Sequence, residues 1–123
     1  MKLIITLIYL LFGITIKVFA GSETYADERV QVTSTTAVSL TASLLAQPSN
    51  SASPCGALVT AEGQNIRFRL TGSLATNTTG HVLTAGNSVN IDSWADLRNF
   101  SAIGQVATST ITVSYFRGCA AQR

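Results

Sequence analysis

NIRFRLTG, residues 65–72, decides how the rest of the chain is read. Ile66, Phe68 and Leu70 fall on one side of an extended chain, Arg67 and Arg69 on the other. A period of two with one dry and one wet face marks a strand of a half-solvated antiparallel sheet. Upstream, CGALVTA (55–61) reads as a buried strand, and Glu62-Gly63-Gln64 as a tight turn joining it to residues 65–70 in a hairpin. Downstream, GHVL (80–83) and VNI (89–91) flank Ala85-Gly86-Asn87 in a second hairpin-like arrangement. TSTITVSYFR (108–117) is the clearest strand. Ile111, Val113 and Tyr115 share one face, and Thr110, Thr112, Ser114 and Phe116 the other.

The alternation of Val30 and Val32 predicts a first strand over 29–34, after a polar lead-in, GSETYADE (21–28), that reads as flexible. TAVSLTASLLA (36–46) continues the alternation through Val38, Leu40 and Ala42. Its Thr and Ser residues favour a strand over the helix that Ala and Leu would allow. QPSNSASP (47–54) and TGSLATNTT (71–79) are polar loops. DSWADLRNF (92–100) changes period: Trp94, Leu97 and Phe100 share one side of a short helix over 93–100, and Ser93 followed by Asp96 suits its N-terminus. The candidate core is Ile66, Phe68, Leu70, Trp94, Leu97, Phe100, Ile111, Val113 and Tyr115, with Trp94 plugging the open end of a sheet. The expected fold is all-β, an antiparallel β-sandwich or flattened barrel with one short helix, preceded by an apolar N-terminal helix.

Residues 1–20 carry Lys2, an apolar run of 14 residues (3–16) and the small-residue pattern Val18, Ala20, Gly21. That is the layout of a secretory signal peptide, and the run is short of the roughly 20 residues of a spanning helix. Residues 21–123 then form a single domain, 103 residues long. Its 6 basic residues are all Arg, against 6 acidic ones, so it is formally neutral and lysine-free. Such a balance gives no reason to expect nucleic acid as a partner, and membrane contact would come only through an uncleaved residue 1–20 segment. Neutrality and the lack of lysine suit packing against other copies through sheet edges, for which the strands at 29–34 and 108–117 are candidates. In an exported protein, Cys55 and Cys119 would form a disulfide rather than stay as two free thiols.

Catalytic chemistry finds little support. The single histidine, His81, lacks the neighbours a zinc site or a Ser-His-Asp triad would require, and reads as a structural hydrogen-bonder. Asp92 and Asp96 lie at helical spacing, where capping explains Asp92 more simply than calcium does. Arg67 and Arg69 suit a solvated strand face or pairing across a subunit interface. The expectation is a non-enzyme with no catalytic residues, no metal and no cofactor.

Four pieces, in order, carry a resemblance: Ile66-Arg67-Phe68-Arg69, Gly80-His81, Phe100-Ser101-Ala102-Ile103 and Ser114-Tyr115-Phe116-Arg117. Together the region 57–117 resembles small β-rich virion-associated proteins of tailed bacteriophages and prophages. The resemblance implies a capsid decoration or tail-associated structural protein whose partners are copies of itself or other virion proteins, and whose location is the virion. It transfers no catalytic residue. The signal-like start departs from that pattern, since phage structural proteins assemble in the cytoplasm, and the 47–54 loop and the cysteine pair look like additions to it. The alternative is a secreted or surface-attached β-sandwich that binds glycan or protein, located in the periplasm, at the cell surface or outside the cell.

Overall fold

The computed structural model describes residues 23–46 and 54–118, and among these it has seven strands and two short helices. Residues 1–20, most of the 47–54 loop and Cys119 lie outside them. In chain order the elements are β1 (Glu23–Val32), α1 (Ala42–Leu45), β2 (Pro54–Glu62), β3 (Ile66–Arg69), β4 (His81–Leu83), β5 (Ser88–Ile91), α2 (Trp94–Arg98), β6 (Ser101–Gly104) and β7 (Ser109–Arg117). The strands form two antiparallel sheets, one in the order β1-β7-β2-β5 and one in the order β4-β3-β6.

Alternation fixes which side of each strand is dry. On β7, Ile111, Val113 and Tyr115 are fully buried, while Thr110, Thr112, Ser114 and Phe116 are half-buried on the opposite face. Register carries the same rows across neighbours: Val113 lies opposite Val59 of β2, which lies opposite Val89 of β5. In the smaller sheet Ile66 and Phe68 face the same apolar core, joined by Leu83 and Ala102. Phe68 stacks on Phe100 at 6.0 Å between ring centroids. Leu97 and Phe100 are buried with them, so both sheets and the α2 segment share one core.

Neither expected hairpin forms. β2 pairs with β7 and β5, and β3 pairs with β4 and β6, so Glu62-Gly63-Gln64 carries the chain from one sheet to the other. The buried Ser109 hydroxyl holds this corner: it lies 2.7 Å from Glu62 O and 2.9 Å from Gln64 O, and Gln64 N donates to it at 3.3 Å. Ala85-Gly86-Asn87 likewise crosses from β4 to β5, with Gly86 N donating to Ala61 O at 2.8 Å and Ala61 N to Asn87 O at 3.1 Å. In both places a glycine turn redirects the chain, and hydrogen bonds to another strand, from the Ser109 side chain at the first and from the Ala61 backbone at the second, accompany the change of sheet.

Other expectations are corrected in detail. Residues 23–28 are not a flexible lead-in but the first half of β1, because β7 supplies a partner as far as Arg117 opposite Glu23. Residues 36–46 are not a strand: Val38 makes one isolated bridge to Ala102, Leu40 enters the core, and residues 42–45 close into α1, giving two short helices rather than one. Leu70 is only half-buried, since the chain leaves β3 at Arg69. Trp94 is not a core plug. It opens α2 at the rim, 37% exposed, and its indole N–H donates to Leu45 O at 3.1 Å. β7 is no edge strand, lying between β1 and β2.

Candidate functional site

β1 is ten residues long and has β7 on one side only; among the described residues nothing pairs with its other side. A bulge at Tyr25, between Thr24 and Ala26, interrupts its ladder near the start, and the register runs evenly from Ala26 to Val32. Val30 and Val32 face the core, while Asp27, Arg29 and Gln31 are exposed. Glu28 shares the core-facing row, opposite Val113. A carboxylate there must find donors, and it has them: the Tyr115 hydroxyl, the Thr41 hydroxyl and the Thr41 backbone N–H.

The same cluster ties α1 to the sheet. Tyr25 Oη donates to Leu44 O at 2.7 Å, and its ring lies 6.1 Å from that of Tyr115 and 5.5 Å from the Arg117 guanidinium. Arg117 Nε donates to Glu23 Oε1 at 2.7 Å. Burial raises the Tyr115 phenol pKa well above the ordinary range, and the hydrogen bond to Glu28 and its negative charge add to the effect. Burial raises that of Tyr25 too, against the opposing pull of Arg117.

The face of the larger sheet that points away from the core is polar. Thr60 and Ser88 hydroxyls meet at 2.7 Å across β2 and β5, Ser114 donates to Asp27 at 2.5 Å, and Arg29 donates to Glu62 at 3.0 Å across β7. The corresponding face of the smaller sheet is covered. Ser101 accepts from Ala75 N at 2.8 Å and donates to Ser73 O at 3.2 Å. Arg67 donates to Asn77 O at 3.0 Å and to Gly80 O at 2.9 Å, drawing the 71–80 loop over the strands. Arg67 is thus an internal clamp. Gly80 makes the approach feasible: its φ is +130°, and a Cβ there would sit 2.9 Å from the Phe68 carbonyl oxygen.

Two open grooves flank Trp94, of about 530 Å³ against Leu40, Ala42 and Leu45 and about 290 Å³ against Ala95 and Asn99, with the Arg98 guanidinium 4.7 Å from the indole ring. A third, of about 540 Å³, lies between residues 34–37 and 74–77 and is also lined by Ile103. His81 is exposed, and its ring lies 5.5 Å from that of Phe68, its ladder partner. Ser93 Oγ caps α2 by accepting from Asp96 N at 3.1 Å, so the cap is Ser93 and not Asp92. Among the described residues no group of three or more His, Cys, Asp or Glu is placed to hold a metal ion. Cys55 takes part in a disulfide, and the chain's other cysteine, Cys119, lies outside the described residues. The sequence drew attention to β3 and to the α2 aromatics; it carried no signal for the Glu28–Tyr115–Thr41 cluster, whose members are far apart along the chain.

No family model matches the chain, nor does any curated protein or solved structure.

Proposed function

We propose that this chain is a non-enzymatic structural component of a tailed-phage virion, a capsid decoration or tail-associated protein whose two sheets stack as a β-sandwich. The observation that carries the reading is where the resembling pieces fall. Three of the four come from separate stretches of chain and meet in one sheet: Phe68 of β3 lies opposite His81 of β4 on one side and Ala102 of β6 on the other. A resemblance confined to short pieces gains weight when they make one structural unit, held by Arg67 and by the glycine at position 80. Its partners are other copies of itself and virion proteins, met through sheet edges and polar strand faces. Mass spectrometry of particles purified from producing cells tests the proposal. Many copies of the chain per particle are expected, and particles free of it refute a virion role.

The disulfide at Cys55 favours a second reading, an exported β-sandwich that binds glycan or protein, since such bonds persist in oxidising compartments. The intact mass of the recovered chain separates the two. Loss of residues 1–20 points to export, and their retention on particles points to the virion.

A further inference from the structure

We infer that the free edge of β1 pairs antiparallel with the same edge of a second copy of this chain, about a two-fold axis at Glu28, so that Asp27 lies opposite Arg29 of the second copy. In a two-fold sheet-to-sheet pairing, opposed residues share a face. With Glu28 at the axis, Ala26 meets Val30 of the second copy on the core side, and Asp27 meets Arg29 of the second copy on the solvent side. The symmetry repeats both contacts, giving two opposite-charge pairs on adjacent strands, an arrangement that stabilises cross-strand neighbours; each Arg29 exchanges its exposed bond to Glu62 for Asp27 of the second copy, and Asp27 keeps the hydrogen bond from Ser114. Either register sets one like pair on the axis, Glu28 here and Arg29 after a shift of two residues, but only the first forms the two Asp27–Arg29 pairs.

Three features of the edge fit this occupant. The bulge at Tyr25 lies outside the stretch that would pair, leaving Ala26–Val30 regular. β1 itself carries no lysine to guard the edge. A charge on the core-facing row of an edge strand ordinarily discourages pairing, because a covering strand would strip its water. Glu28 escapes that penalty, since its oxygens already take hydrogen bonds from Tyr115 and Thr41. The far edge of β6, by comparison, is closed by the chain itself: Val38 and Ala102 exchange two bonds at 2.8 Å, and Gly104 N donates to Thr33 O at 2.8 Å. A contact of so few residue pairs is small, so association is weak for one pair and gains strength where many copies are held side by side.

The inference rests on the many-copy reading, yet the two fail separately. Particles lacking the chain defeat that reading, whereas a chain found on particles but monomeric in solution defeats only the pairing. Sedimentation of the chain as recovered from producing cells, followed to high concentration, is the test. A reversible dimer is expected for the native chain. Asp27→Arg should weaken it by about tenfold or more, and the exchanged double variant D27R/R29D should restore it to within about threefold. Amide exchange of the native chain gives a readout without substitution: protection within residues 26–30 should rise with concentration. A monomer at every concentration overturns the proposal, as does an Asp27→Arg dimer as tight as the native one, or a double variant as weak as the single. Concentration-independent protection of the β1 amides that point away from β7 also overturns it, by assigning the edge to another segment of the same chain.

Discussion

The two sheets solve the same problem in opposite ways. The smaller one has strands of three or four residues and is covered on one face and one edge: the 71–80 loop lies over its outer face, and residues 33–38 run along the far edge of β6. The larger one has three strands of nine or ten residues beside the four-residue β5, a polar outer face held by side chains of its own strands, and a long edge at β1 with no partner among the described residues. Where short strands supply few ladder bonds, strand side chains bonded to the loop backbone supply the rest. Where long strands supply enough, face and edge are left over for something else. On this molecule, surfaces available to partners therefore concentrate on the sheet that needs least help from the remainder of the chain.

The sharpest way to break that contrast is to empty the smaller sheet. Phe68→Ala removes a buried ring stacked on Phe100 and should cost about 3–5 kcal/mol in urea unfolding, severe for a domain of this size. A loss below about 1 kcal/mol would mean that the core is carried by the larger sheet alone. Arg67→Ala releases two carbonyls of the covering loop and should cost about 1–3 kcal/mol, with limited proteolysis moving to residues 71–80. An unchanged cleavage pattern would show that the loop stays down without its clamp.

Alkali addresses the larger sheet. The unfolded chain gives up its phenol protons near pH 10, whereas burial lets the folded chain keep those of Tyr115 and Tyr25 to higher pH. The folded state then binds more protons, so the stability these groups contribute is complete below about pH 10 and is lost as pH climbs through the raised folded values. Unfolding midpoints measured from neutral pH upward should stay level and then fall above about pH 10; a level profile throughout would place both phenols in water. The smallest effect is expected on the open face. Arg29→Ala removes an exposed ion pair with Glu62 and should cost under about 1 kcal/mol, less in high salt. A larger, salt-insensitive loss would reveal that this face is already packed against something.

The residues of each strand were easier to read than their partners. Ile66, Phe68, Ile111, Val113 and Tyr115 alternate so regularly that their strands and buried faces follow from spacing. Ser93 and Asp96 marked the start of α2 for the same local reason. Turns were different. Gly63 and Gly86 both adopt positive φ, which announces a reversal but not its destination. The destination was settled by Ser109, 45 positions along from Gln64, and by Ala61 receiving Gly86. The first half of β1 lacks apolar alternation and is a strand because β7 imposes it. Trp94 misled because spacing groups it with Leu97 and Phe100, while its N–H is drawn to Leu45 on another element. The Glu28 cluster was illegible for the same cause, since Glu28 and Tyr115 stand 87 positions apart.

The pairing of β1 with β7 also sets an order in time. Arg117 and Glu23 meet across 94 positions, so the first strand of the domain to leave the ribosome has no partner until the last has been made. Contacts of such long range fold slowly, because the loop between them must close before any bond rewards it. Until then β1 is a bare strand and the buried faces of β2 and β3 are exposed, a state prone to mispairing in a crowded cell. A truncated product lacking residues 109–117 would lose β7 and with it the only described partner of β1, so production of this domain is close to all or nothing at its C-terminal end.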